Sequence, residues 1–448
     1  MTLFLRFFQH NTSSFHKRGW IFFQVAIFLL PSSAFLSSLF LLVAVVLGSR
    51  NRNTPYLSDP WNYPFVLVTL LMIIGCINAY SGWLAWIGLA NWLPSFWIFW
   101  AVQPYLLTSD ARRRIALLFV SGTAPVVVTG LGQLWFNWSG PWQLFNGLMI
   151  WFVSSGGAPA GRLSGLFDYA NIAAAWLSFV WPFSLATLLQ SKLNFWQRFI
   201  VLSFAISIVA ALILTDSRNA WGSLILAIPI VLGPANWYWL LPLLIVSLLP
   251  IAFAVLPGVS LQLQEWARAV VPDGVWSRLN DMRYNQQRLV GSTRLSQWFI
   301  AFQFIAERPW FGWGAAAFSV LYPLRTGLWH GHAHNLPLEV AVAHGLPVAA
   351  LVVITIIALL IKSLKQGILD GSTKSFGHSR NSIFERAWWA SCLILVVLHG
   401  SDMPFFDSRL NIAGWILFAG LRCVIFSNSL INPILSKTEV DAELISLV

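Results

Sequence analysis

Residues 330–361 read HGHAHNLPLEVAVAHGLPVAALVVITIIALLI, three histidines and an amide running straight into a long apolar stretch. A helix rises about 1.5 Å per residue, so roughly 20 apolar residues cross the hydrocarbon layer of a bilayer. The stretch 336–361 is long enough for that, and runs like it recur along the chain. Composition agrees: 57% of the residues are hydrophobic, 10% are charged, and the mean hydropathy is +0.70. A soluble molecule could not hide so much apolar surface. The expected fold class is all-α, a polytopic integral membrane protein forming a single domain over 1–448.

Reading outward from this stretch, spans are expected at about 20–33, 34–48, 63–80, 82–103, 115–135, 170–190, 199–215, 220–233, 237–256, 336–361, 388–404 and 410–426, about twelve in all. Pro31-Ser-Ser between the first two is read as the turn of a hairpin. The basic start (Arg6, Lys17, Arg18) reads as a retained signal-anchor. With both termini cytoplasmic, every lysine falls on the inner side, as the positive-inside tendency expects. The opposite face, expected to be periplasmic, then carries only arginines, including Arg162, Arg218, Arg268, Arg278, Arg283, Arg288 and Arg294. A guanidinium fork binds phosphate or carboxylate oxygens two at a time, which an ammonium cannot.

The net charge of +11 is spread over loops flanking the spans. Topology and anionic lipid account for it, so membrane lipid is an expected partner and nucleic acid is not. Cys76, Cys392 and Cys423 lie in or beside apolar runs and read as buried small hydrophobes. No Gly-rich phosphate loop and no Cys/His spacing of a zinc site is present, so neither cofactor nor metal is expected.

Two loops on the arginine-bearing face are long enough to carry function, 136–169 and the large one at 257–335 before the tenth span. Within the second, Leu295 to Ile305 has the apolar spacing of an amphipathic helix at a membrane surface. Three polar clusters each precede a helix entering from that face: Arg162 to Asn171, Thr215-Asp216-Ser217-Arg218-Asn219, and His334-Asn335. Helix N-termini favour anions, so an anionic lipid-linked substrate suits all three. The plainer readings are snorkelling anchors for Arg308, Arg325 and Arg409, solvated loop positions for His330 and His332, and a packing role for His344.

Four blocks resemble the signatures of the O-antigen ligase superfamily, which includes related O-antigen polymerases. They are Arg162-Leu-Ser-Gly-Leu-Phe-x-x-Ala-Asn171, Ser217-Arg218-x-Ala-Trp221, Arg308-Pro-Trp-Phe-Gly-Trp-Gly314, and His334-Asn335 followed at fixed spacing by Gly345. Val348 departs from the Gly, Thr or Tyr usual there. The resemblance covers residues 115–404. It implies a membrane glycosyltransferase of the bacterial inner membrane with a periplasmic active site. The donor would be a polyprenyl-diphosphate-linked glycan and the acceptor lipid A core or another glycan, as in lipopolysaccharide or surface polysaccharide biosynthesis. By the same resemblance His334 is the catalytic candidate, Arg218, Arg294 and Arg162 are candidates for the diphosphate, and Asn335, Ser217 and His332 are supporting residues. An O-antigen polymerase is one alternative. Another is a cyanobacterial protein of the bicarbonate-transporter type, which Tyr322-Pro-Leu324, Pro337 to Val342 and His399-Gly-Ser-Asp402 also resemble.

Overall fold

The computed structural model describes residues 17–50, 52, 55–190, 193–280, 293–365 and 382–425. Arg6, Lys192, Arg283, Arg288, Lys374 and Lys437, used above to orient the chain, lie outside them. The protein is mostly helical, as the apolar runs require. Among the described residues eight helices are long and apolar enough to span a membrane.

Two helices form the opening hairpin, α1 (Lys17–Leu29) and α2 (Ala34–Arg50). They turn at Pro31 to Ser33, where the Ser33 N–H donates to the Leu29 carbonyl, and Ser37 Oγ donates to Ala26 O at 2.8 Å. α3 (Tyr63–Ile77) follows. The single span expected at 82–103 is instead divided into α4 (Trp83–Gly88), a 3-10 turn, α5 (Leu93–Ala101) and α6 (Gln103–Leu106). Pro94 and Pro104 sit in the first turns of α5 and α6, where a missing N–H does least harm. The carbonyl of Asn91 at the break accepts from Asn411 Nδ2 at 2.9 Å and Ser95 Oγ at 3.2 Å.

α7 (Ser109–Gly122) and α8 (Ala124–Trp135) run on as one apolar unit. A short antiparallel pair, β1 (Trp142–Leu144) and β2 (Met149–Trp151), leads to α9 (Ala170–Leu188). α9 is the centre of the bundle: 78% of it is buried, against α7, α10 (Phe195–Leu214), α11 (Arg218–Leu232) and α19 (Ser382–His399). By contrast only 11% of the segment containing α12 (Trp237–Val255) is buried. α10 and α12 turn Phe199, Ile200, Ile206, Ile245 and Val246 outward. An exposed apolar face on that scale is tolerable only against lipid.

The 257–335 region folds as α13 (Leu261–Val270), α14 (Asp273–Leu279), α15 (Arg294–Glu307) and α16 (Ala317–Thr326). α15 is the amphipathic helix expected at 295–305. Leu295, Phe299 and Phe302 form its exposed face, and Ala301, Phe304 and Ile305 are buried.

The span expected at 336–361 is also divided, into α17 (Leu336–His344) and α18 (Leu346–Ser363), with Gly345 between them at φ 87°. The loop after α15 supplies the hydrogen bonds the break leaves open. Trp313 N–H donates to Val342 O at 2.8 Å, Gly314 N–H to Ala343 O at 2.9 Å, and Leu346 N–H to Pro309 O at 2.8 Å. A side chain on Gly345 would collide with the Trp310 backbone, and one on Gly312 with that of Ala343. The spacing from Asn335 to Gly345 is thus the length of one short helix, capped by Asn335 at its start and broken by glycine at its end. The Arg308 to Gly314 block is the strap closing that break. The chain ends its described course in α20 (Ser408–Ile425).

Candidate active site

Two titratable side chains meet where α17 begins and α19 ends. His334 Nδ1 lies 3.1 Å from Asp402 Oδ1. His334 immediately precedes the cap: the Asn335 side chain accepts from Leu338 N–H at 3.0 Å and donates through Nδ2 to Gly400 O at 2.8 Å. That second bond ties the α17 start to the 400–402 turn. His334 holds a left-handed backbone, φ 50°, uncommon for a residue with a side chain. Its N–H donates to His332 Nδ1 at 3.2 Å and the preceding Ala333 N–H donates to Glu339 Oε2 at 3.0 Å, so side chains hold the backbone there.

Asp402 is shared. Oδ2 accepts from Asn171 Nδ2 at 3.0 Å and lies 3.7 Å from Arg294 Nη2, while Oδ1 also accepts from Met403 N–H at 2.9 Å. Burial works against its charge, but the bond to His334, the charges of His334 and Arg294 and the Met403 N–H outweigh it, and hold the carboxyl at about 2. Asn171 in turn accepts from Arg162 Nη2 at 2.6 Å, and Arg162 Nε donates to Thr215 O at 2.8 Å. The next residue, Asp216, has φ 50° and is held by Arg278, whose Nε lies 3.1 Å from its carbonyl and 3.2 Å from its carboxylate.

The Asp402 carboxylate joins the first and third polar clusters, and the second is tied to them through the bond from Arg162 to Thr215 O. Arg162 is buried and commits two of its donors to protein. Arg294 is 36% exposed at the first turn of α15. Arg218 is the first residue of α11 and half-buried, behind a buried Ser217. His332 stands with its ring 4.3 Å from that of His334. Burial, then the His334 charge, pull it down to about 4. His330 is also lowered, by burial, and its Nδ1 meets Gln297 Nε2 at 3.2 Å.

Asp402 was not among the expected site residues. Its segment, His399-Gly-Ser-Asp402, stood only as a likeness to transporter-type proteins. The available signal was a carboxylate directly after an apolar helix, a costly placement that usually has a polar partner. Three boundary arginines behave as structural groups: Arg409 pairs with Asp407, Arg325 with Glu307, and Arg308 lies over the Trp313 ring.

The site is thus a histidine, a shared carboxylate and arginines gathered among the helix ends of a helical membrane protein. The family model described as O-antigen ligase matches residues 202–353, about a third of the chain, and this region is similar to the O-antigen ligase superfamily. The match holds Ser217, Arg218, Arg294, His332, His334 and Asn335; Arg162 and Asp402 lie outside it. No curated protein matches the sequence significantly.

Proposed function

We propose that this protein is a membrane glycosyltransferase that moves a glycan from a polyprenyl diphosphate to an acceptor hydroxyl, at the periplasmic face of a bacterial inner membrane. The observation that carries the reading is the 3.1 Å contact of His334 with Asp402. Whenever His334 is in its neutral form, an ionised Asp402 requires Nδ1 to carry the proton between them, which leaves the Nε2 lone pair to accept another. In the reaction the acceptor oxygen bonds to the anomeric carbon of the donor glycan, and its proton passes to His334 Nε2. The carbon–oxygen bond to the diphosphate breaks, and polyprenyl diphosphate leaves with the electron pair. In this reading Arg218 and Arg294 would stabilise that departing charge, which a preorganised site does better than water. Arg162 holds Asn171 and, through it, Asp402.

An apolar cavity of about 130 Å³, lined by Leu336, Val352, Ile356, Leu395 and Phe405 among others, includes Gly400 in its wall and suits the first isoprene units of a lipid donor. Ligase and polymerase share this donor chemistry and differ in acceptor.

The test incubates purified protein with a polyprenyl-diphosphate glycan and lipid A core in the presence of a chelator. Glycan-extended acceptor and free polyprenyl diphosphate are expected. No product with any glycan acceptor, together with bicarbonate uptake into vesicles, would replace this reading with transport. Labelling of a cysteine placed at position 280 only from the cytoplasm would overturn the orientation.

A further inference from the structure

Glu339 and His344 are 5% and 4% exposed, and the chemistry above uses neither. Both line a cavity of about 280 Å³ between α17 and the broken segment 83–92. Glu339 spends one oxygen on the Ala333 N–H; among the described residues its other oxygen and the His344 ring make no hydrogen bond to protein. Two such groups in a mostly apolar wall are costly to bury unless a polar ligand or water meets them. The rest of the wall includes Trp92, Phe405 and Phe406, and Gly331 belongs to it. Among the described residues no arginine or lysine does, so they offer a diphosphate no cationic partner there. What fits flat aromatic faces with a few buried polar groups is an uncharged ring bearing hydroxyls.

We propose that this cavity is the acceptor subsite, holding a sugar ring of the acceptor glycan with Glu339 and His344 hydrogen-bonded to its hydroxyls. The proposal rests on the glycan-transfer reading and gives that reaction its second substrate a place. The route to the reacting histidine is short in contacts. Phe406 in the cavity wall lies 6.1 Å from the His332 ring, which lies 4.3 Å from that of His334. The size suits one sugar ring, since the cavity falls just under the range of roughly 300–1,000 Å³ typical of small-molecule pockets.

Two variants test it. Glu339→Gln keeps an oxygen for the Ala333 N–H and replaces the second oxygen, which faces the cavity, with an amide NH2; Phe406→Ala removes one wall at a half-exposed position. Each should raise the KM for acceptor about tenfold, the cost of one charge-assisted hydrogen bond or aromatic face, with donor KM and the rate at saturating acceptor changed less than about twofold. Calorimetric titration of the protein with lipid A core oligosaccharide, without donor, should show the same weakening. Unchanged acceptor KM and binding in both variants would overturn the proposal. So would a fall in kcat alone for Glu339→Gln, which would make Glu339 a support of the 333–334 backbone only. Wild-type protein that binds the oligosaccharide but transfers nothing would retain this subsite and remove the transferase reading. Wild-type protein that transfers glycan while both variants bind normally would do the reverse.

Discussion

Arg409 and Arg162 both bond to the 162–171 segment and differ in kind. Arg409 closes on itself: Nε and Nη2 both grip Asp407, at 3.0 and 2.5 Å, Nη1 donates to Leu166 O, and the guanidinium lies over the Phe167 ring. The same closure occurs at Arg112 with Glu385 and at Arg422 with Asp59. Arg162 opens instead into a chain of bonds through Asn171 to Asp402, where His334 and Arg294 also meet. A closed pair neutralises its charge where it stands and serves packing. An open chain leaves one carboxylate divided among several partners, so a change at any of them moves the others.

The largest effect should come from the end of the open chain. His334→Ala should lower transfer by roughly 100- to 10,000-fold, the span of general acid–base contributions, while the protein still inserts and folds. A loss smaller than tenfold would demote His334 to a loop residue. Next comes the arginine contrast. Arg294→Lys and Arg162→Lys should each lose most activity, on the order of tenfold or more, because one ammonium cannot reproduce two directed N–H donors. Arg409→Ala should leave the turnover of folded molecules nearly intact and lower stability by about 3 kcal/mol or more, as breaking a buried pair does. Equal activity losses at Arg409 and Arg162 would erase the distinction drawn here.

That distinction was not visible in the sequence. The apolar runs predict α9, α11, α12 and α20 closely because burial in lipid or protein leaves a helix no alternative, whereas the run at 388–404 is shifted about five residues past α19. The runs at 82–103 and 336–361 read as single spans because hydropathy does not register a backbone break. Gly345 and the strap at 309–314 are distant in sequence and meet only in space. The polar clusters at Arg162, Ser217 and His334 were legible as helix starts, and their connection was not, since Asp402, which joins the first to the third, lies in the turn after α19. Arg162 reads from sequence as a ligand for diphosphate, and the fold gives it two internal partners first.

The smallest predicted effect is a pH dependence. Folded His332 takes its proton only near pH 4, whereas the unfolded chain takes it near 6.5. Between those values the unfolded state binds more protons, so stability falls as pH drops through that window. Asp402 has the opposite character: its carboxyl, depressed from 3.8 to about 2, adds stability that is full above pH 4 and lost only as pH falls toward 2. Melting temperature followed from pH 7 to pH 4 should therefore decline, and His332→Gln should flatten part of the decline. An unchanged slope in that variant would assign the acid sensitivity elsewhere.

The most direct measurement is the turnover of His334→Ala, Asp402→Ala and the double variant under single-turnover conditions with saturating donor and acceptor. If Asp402 acts by holding and orienting His334, removing both should cost about what removing His334 costs, because groups that act as a unit are not additive. Losses that multiply in the double variant would show two independent contributions and contradict the shared proton-handling unit on which this reading of the site depends.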